Sequence, residues 1–87
     1  NGANEHWIVD DIAEMPGVYD IIVLRKLGIF DTIFRIIRIN KEKNKFGMYS
    51  VQIIQEGLVI DKDQIRLSNI QTAEGMLNEL KTIMELI

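Results

Sequence analysis

The hydrophobic residues between positions 18 and 54 fall into three runs, separated by a glycine-containing turn and a polar segment. The runs are Val18 to Leu27, Thr32 to Asn40 and Phe46 to Ile54. Their many β-branched residues are typical of strands, and the lysine-rich segment 41–45 has the length of a hairpin connection. The pattern predicts an antiparallel meander, with Leu58 to Leu67 as a fourth strand or a short hairpin.

The last part of the chain has the period of a helix instead. Apolar residues recur there at spacings of three and four along one face. Ser68 followed by Gln71 fits a capping box, and Thr72 is a second candidate for the N-cap. The sequence therefore predicts a C-terminal amphipathic helix packed on one face of the sheet. The residues expected to make that contact are Ile70, Ala73, Leu77, Leu80 and Met84.

The segment before Pro16 is ambiguous. Ile8, Ile12 and Met15 lie at i, i+4 and i+7, which predicts a short helix, and a strand is the alternative. We expect residues 1–5 to be disordered or a remnant of expression. The elements together predict one α+β domain over the whole chain of 87 residues. Its antiparallel sheet has three to four strands, with the C-terminal helix packed on one face and, in one of two interpretations, a short N-terminal helix.

The second predicted strand is mainly apolar on both of its faces. Alternation places Ile37 and Ile39 on one side and Phe34 and Ile36 on the other. One helix covers one face of a sheet, and a large apolar patch seldom stays exposed on a monomer. We therefore expect the second face to be covered by the N-terminal segment, by a second protomer or by a ligand. A homodimer is the commonest oligomer.

Composition narrows the class of protein. The chain is 47% hydrophobic and 26% charged, which is typical of a folded globular domain. It has no cysteine, so disulfides and thiolate metal sites are excluded, and a reducing compartment fits. The apolar runs are too short to span a bilayer, and no signal peptide is visible. We expect a cytoplasmic protein with no membrane partner.

Charge is distributed unevenly along the chain. The net charge of −3 argues against a general nucleic-acid binder. However, residues 1–20 carry five acidic and no basic side chains, whereas residues 21–45 carry seven basic and two acidic ones. The centre of the chain is therefore a basic segment between acidic flanks.

The predicted hairpin around this basic segment is the candidate interaction site. Its cations are interleaved with aromatic residues, and single-stranded nucleic-acid binders combine a cationic groove with aromatic stacking platforms. The alternatives are that the lysines prevent sheet edges from pairing and the arginine stems cover apolar surface, or that the cations meet an acidic protein patch. The candidate residues are Arg35, Arg38, Lys41, Lys43, Lys45, Phe34, Phe46 and Tyr49.

Residues suited to catalysis are scarce. His6 is the single histidine, and no partner that would orient it can be recognised. Asp61 and Asp63 have the spacing of the first ligands of a calcium loop, but the glycine and the distal glutamate of that loop are missing. The sequence has no glycine-rich phosphate loop and no nucleophile elbow. We expect no catalytic residues, no cofactor and no metal site.

These observations predict a small protein-interaction domain without catalytic activity, which presents a sheet surface and pairs with itself as a homodimer. A different protein partner is also compatible with this prediction. The alternative is a single-stranded nucleic-acid-binding domain that uses the basic hairpin 35–45.

Overall fold

Five strands form one antiparallel sheet in which each strand lies beside its neighbours in sequence. The structure is a computed structural model that describes residues 7–67 and 70–85, with residues 77, 78 and 81 described by their backbone alone. The strands are β1 (Ile8–Met15), β2 (Val18–Lys26), β3 (Thr32–Asn40), β4 (Tyr49–Gln55) and β5 (Leu58–Ile65). A single helix, α1 (Ala73–Met84), follows them among the described residues.

Two of the strand connections are two-residue turns. Pro16 and Gly17 join β1 to β2, and Glu56 and Gly57 join β4 to β5. Glu56 and Gly57 both have positive φ, of 55° and 80°, as a type I′ hairpin turn requires. The tight turns fix the register of both hairpins.

Both edge strands contain a bulge. The register of β1 against β2 shifts between Val9 and Asp11, so Asp10 has no partner across the ladder. The register of β5 against β4 shifts in the same way. Val59 pairs with Ile54 and Asp61 pairs with Ile53, so Ile60 has no partner across the ladder. Bulges on edge strands twist the edge and make pairing with another chain less favourable.

The core lies between α1 and one face of the sheet. Tyr19, Ile21 and Val23 of β2 are fully buried on that face, next to Ile37 and Ile39 of β3. The helix adds two fully buried side chains, Met76 and Ile83. Burial of these residues supplies most of the hydrophobic stabilisation that a domain of this size can reach.

Side-chain hydrogen bonds fix the start of the helix. The hydroxyl of Thr72 accepts a hydrogen bond of 3.0 Å from the amide of Gly75, which makes Thr72 the N-cap. The hydroxyl of Tyr49 accepts a bond of 2.7 Å from the amide of Ile70, so the segment before the helix is tied to β4. Ser68 and the side chain of Leu77, to which the sequence assigned a cap and a core contact, lie outside the described part of the structure.

The α+β class predicted from the sequence is wrong, and the protein is mostly β. The sheet has five strands instead of three or four, and the 12 residues of α1 are a small share of the described chain, so strands dominate the fold. The predicted N-terminal helix is strand β1. The three residues whose spacing predicted a helix do not share a face, because the bulge at Asp10 places Ile12 on the core side while Ile8 and Met15 are exposed on the other.

No helix among residues 7–67 and 70–85 combines the length and apolar character needed to cross a lipid bilayer.

Docking of α1 can be tested with one buried and one exposed helix position. Ile83 is fully buried in the core, whereas its neighbour Thr82 is exposed. We expect Ile83→Ala to lower the free energy of unfolding by about 2–5 kcal/mol, as truncation of buried aliphatic side chains does elsewhere. Thr82→Ala should change it by a few tenths of a kcal/mol. Equal stability of the two variants in urea denaturation would mean that the helix is not docked on the sheet.

Candidate interaction surface

The two arginines of β3 project from opposite faces of the sheet. Arg35 lies on the helix side, where its guanidinium carbon is 4.5 Å from the centre of the Trp7 ring. Its Nε donates a hydrogen bond of 2.8 Å to the side-chain oxygen of Gln55. Residues three apart in a strand point to opposite sides, so Arg35 and Arg38 do not share a binding groove.

Arg38 lies on the other side of the sheet, which we call the open face because α1 does not cover it. Its Nε and Nη2 each donate a hydrogen bond of 2.8 Å to the carboxylate of Asp20. These bonds and the attraction of the carboxylate raise the pKa of Arg38 above its usual range. Asp20 is only 5% exposed, and burial of its carboxylate without a partner would be costly. The two hydrogen bonds from Arg38 offset that cost.

The three lysines of the β3–β4 loop each lie near an aromatic ring. The Nζ atoms of Lys41, Lys43 and Lys45 are 5.0, 5.4 and 5.3 Å from ring centres. The rings are those of Tyr19, Tyr49 and Phe46 respectively. Lys41 also forms a 3.0 Å ion pair with Glu14. Lys41 is therefore paired within the protein, whereas Lys43 and Lys45 are exposed beside their rings.

The predicted combination of cations and stacking platforms is not gathered in one groove. Tyr49 is buried in the core, so its ring is not available to a nucleotide base. Phe34 lies on the open face near the start of β3, at the opposite end of the sheet from the lysines. Phe46 is 63% exposed beside Lys45. Binding of nucleic acid by this hairpin stays a prediction.

The open face is apolar in the half that lies nearest the β2–β3 loop. Ile22 and Leu24 of β2, Ile36 of β3 and Ile54 of β4 form what we call the apolar floor. Their side chains are partly exposed, and none of the four belongs to the core cluster beneath α1. The more exposed side chains that flank the floor on this face are Ile8, Phe34, Val59 and the acidic Asp11, which is paired with Ile22.

The other half of the open face is polar. Beyond the Asp20–Arg38 pair, the sheet surface forms a shallow depression of about 620 Å³. Residues lining it include Asn40, Ser50, Gln52, Lys62 and Gln64. The open face therefore changes from apolar to polar along the strand direction.

Exposed hydrophobic residues concentrate at one end of the sheet, which we call the apolar end. Among the described residues, ten large hydrophobic side chains are exposed, and eight of these lie at the β2–β3 loop, at the β4–β5 turn or in the strand segments beside them. The other two, Met15 and Phe46, lie at the far end. The eight are Ile8, Leu27, Ile29, Phe30, Phe34, Leu58, Val59 and Ile60.

The most exposed of these residues form the tip of the β2–β3 loop, residues 27–31. Ile29 and Phe30 are 92% and 93% exposed. The loop is closed by a hydrogen bond of 2.8 Å from the amide of Leu27 to the carbonyl of Asp31. Sequence reasoning treated this segment as a turn and assigned it no function. The signal that could have identified it is the presence of three large apolar residues where a turn normally carries polar ones.

The size of the apolar end can be compared with known interfaces. A fully exposed side chain of this kind presents roughly 200 Å², so the eight exposed fractions amount to on the order of 1,000 Å² of accessible surface. The largest apolar patch of a typical monomer is about 300–600 Å². One partner of a standard protein–protein interface buries about 800 Å². The eight residues lie on both faces and at the end of the sheet, so this sum is an upper limit for the area that a single interface could bury there.

Charges of both signs surround the apolar end. Arg25 and Lys26 lie at the end of β2, Asp31 closes the loop, and Glu56 occupies the β4–β5 turn. A rim that carries both signs can be complementary to a copy of itself, whereas a rim of one sign would repel its copy.

Among residues 7–67 and 70–85, no three His, Cys, Asp or Glu side chains lie together as a metal site would need. No protein-family model, no characterised protein and no solved structure matches the chain. Function is therefore inferred from the surfaces described above.

A buried phenol makes stability depend on pH in the alkaline range. The Tyr19 hydroxyl is buried and has no hydrogen-bond partner in the described part of the chain. Burial raises the pKa of Tyr19 above its usual range; the Glu14 carboxylate raises it further, and the Lys41 ammonium lowers it. The folded state therefore holds this proton more tightly than the unfolded state does. The resulting stabilisation is complete below the unfolded pKa of about 10 and is lost as pH rises through the folded pKa.

We expect the Tyr19→Phe variant to lose less stability than the parent between about pH 9 and pH 11, because it has no phenol to titrate. Urea denaturation at a series of pH values measures this difference. The two proteins differ only in this hydroxyl, so the difference between their stability curves reports on the Tyr19 phenol. Parallel stability curves for the two proteins would contradict the raised pKa of Tyr19.

The nucleic-acid hypothesis can be tested with a fluorescent single-stranded oligonucleotide. We expect no detectable binding at physiological salt, because the chain is acidic and Lys41 is already paired with Glu14. Binding that weakens with salt, with a slope of about −0.7 per neutralised phosphate, would support the hypothesis. A flatter slope after replacement of Lys41, Lys43 and Lys45 by Gln would assign that binding to the β3–β4 loop.

Proposed function

We propose that this chain is a protein-interaction domain without catalytic activity, which presents one surface of its sheet and self-associates as a homodimer. The observation that carries the proposal is the gathering of eight exposed hydrophobic side chains at one end of the sheet, next to an apolar floor that α1 leaves uncovered. Exposed apolar side chains that gather at one end of a small domain are typical of a surface that binds a partner.

The bulges favour contact through side chains over strand addition. Asp10 in β1 and Ile60 in β5 interrupt the two edges of the sheet. Charged residues follow both bulges, Asp11 in one strand and Asp61 with Lys62 in the other. Such edges are poor templates for a further strand. The face and the loop at the apolar end are the surfaces that remain for binding.

A second copy of the chain fits the open face better than the N-terminal segment or a ligand, which the sequence also suggested as its cover. Residues 8–15 do not lie over the open face, because they form β1 within the same sheet. Arg25 and Lys26 lie at the apolar end together with the anions Asp11, Asp31, Glu56 and Asp61, so a two-fold arrangement can place cations of one copy near anions of the other. A homodimer would cover the apolar residues of both copies.

Two further parts of the proposal rest on composition. With one histidine and no cysteine, the sequence offers few side chains for nucleophilic or general-base chemistry, which supports a role in binding. The absence of cysteine also fits a reducing compartment, and we propose that the protein acts in the cytoplasm.

Molar mass in solution tests the proposed homodimer. We expect the mass measured by light scattering to rise to that of a dimer with increasing concentration. The double variant Ile29→Ser and Phe30→Ser should raise the dissociation constant by roughly a hundredfold or more, since large side chains at the centre of an interface contribute most of its affinity. Both side chains are almost fully exposed, so the fold should not depend on them.

Phe46→Ser is the matched control, because Phe46 is an exposed aromatic residue at the far end of the sheet. It should leave the mass unchanged. A parent protein that stays monomeric at high concentration would refute the homodimer, and an equal effect of the control would show that the apolar end is not the interface.

A further inference from the structure

We infer that the β2–β3 loop of each copy docks on the apolar floor of the other copy, so that the dimer is held by two reciprocal loop-on-sheet contacts. This inference rests on the proposed self-association and specifies its geometry. The occupant of the floor is thereby a defined segment, residues 27–31 of a second copy.

The two surfaces have complementary shapes. Ile29 and Phe30 have more than nine-tenths of their surface exposed, so they project from the end of the sheet as free knobs. The floor residues are only partly exposed and lie on three adjacent strands, so they present a broad and flat surface. Exposed knobs that meet each other tip to tip would bury little area. Projecting side chains that lie on a flat apolar face bury most of their exposed area.

The register of the sheet allows both contacts to form at once. Along β2, residues Ile22, Leu24 and Lys26 lie successively nearer the loop on the open face. Same-face residues are about 6.7 Å apart along a strand. The two-fold axis is placed between the two facing sheets, perpendicular to the strands and level with the midpoint between Leu24 and Lys26. The strands of the second copy then run in the opposite direction. Each loop then lies over the partner's β2 and β3 at the level of Ile22 and Ile36.

Electrostatics favours a second copy over a lipid surface. The cations Arg25 and Lys26 at the base of the loop suggest binding to anionic headgroups, but Asp31 and Glu56 lie at the same end. The chain as a whole carries a charge of −3. Binding to an anionic bilayer needs an excess of positive charge near the inserted residues, whereas a symmetric protein contact needs both signs.

The absence of cysteine makes the docking geometry directly measurable, because each introduced thiol is unique. Phe30→Cys places a thiol on the loop tip, and Ile36→Cys places one on the floor. Ser50→Cys is the matched control, since Ser50 is also partly exposed on the open face but lies in its polar half. Chains carrying different mass tags are mixed in pairs and oxidised. Thermal melting of each full-length variant confirms that it folds, and Ile54→Cys replaces Ile36→Cys if the latter does not.

We expect the disulfide between Phe30→Cys and Ile36→Cys chains to form roughly tenfold faster than that between Phe30→Cys and Ser50→Cys chains, because a disulfide needs its two Cα atoms within about 7 Å. Equal rates, or faster formation of Phe30→Cys homodimers, would overturn the loop-on-floor contact in favour of another geometry. A dimeric mass without the expected disulfide would refute this inference and leave the proposed homodimer intact. A monomeric mass would refute both.

A lipid surface is tested in the same set of proteins. Cosedimentation with vesicles of mixed phosphatidylcholine and phosphatidylserine should not exceed the background. Binding to these vesicles that is lost in the double variant Ile29→Ser and Phe30→Ser would overturn the inference and assign the loop to a membrane surface.

Discussion

The structure depends on one constraint, which is that a single sheet has two faces and the chain has one short helix to cover them. α1 places Met76 and Ile83 against Tyr19, Ile21 and their neighbours, and this contact forms the core. The remaining face is left in water although half of it is apolar. Its polar half is stabilised differently, by a bidentate ion pair between Arg38 and Asp20 in the middle of the sheet. The fold therefore separates a surface that maintains stability from a surface that is free to bind.

Local sequence patterns predicted the central strands but not the class of fold. β2 and β3 begin at Val18 and Thr32, where the β-branched runs begin, because strand preference and burial agree in these segments. The segment of β1 was left open between helix and strand, because Ile8, Ile12 and Met15 have the spacing of a helix, although the bulge at Asp10 places Ile12 on the opposite face from the other two. A bulge is set by the pairing of two strands, and nothing within eight residues of one strand specifies it.

The candidate site was predictable in part. The apolar character of both faces of β3 indicated a second apolar face that the helix does not cover, and the structure has such a face. The basic hairpin was harder to interpret, because the partners of its cations are distant in sequence. Asp20 is 18 residues from Arg38, and Glu14 is 27 residues from Lys41. Such pairs can be recognised only once the register of the strands is known. The exposed loop tip was missed as a candidate binding surface. The turn was recognised from Gly28, and the large apolar residues beside that glycine were not considered.

The bulged edges have a consequence for the size of any assembly. A sheet with regular edges can add strands without limit, and its products are fibres. Here Asp10 and Ile60 interrupt both edges, so growth in that direction is blocked. A two-fold contact across the open face occupies the same patch on both molecules and leaves no equivalent patch free. The proposed homodimer would therefore be closed at two copies, which would keep a protein with this much exposed apolar surface dispersed at high concentration.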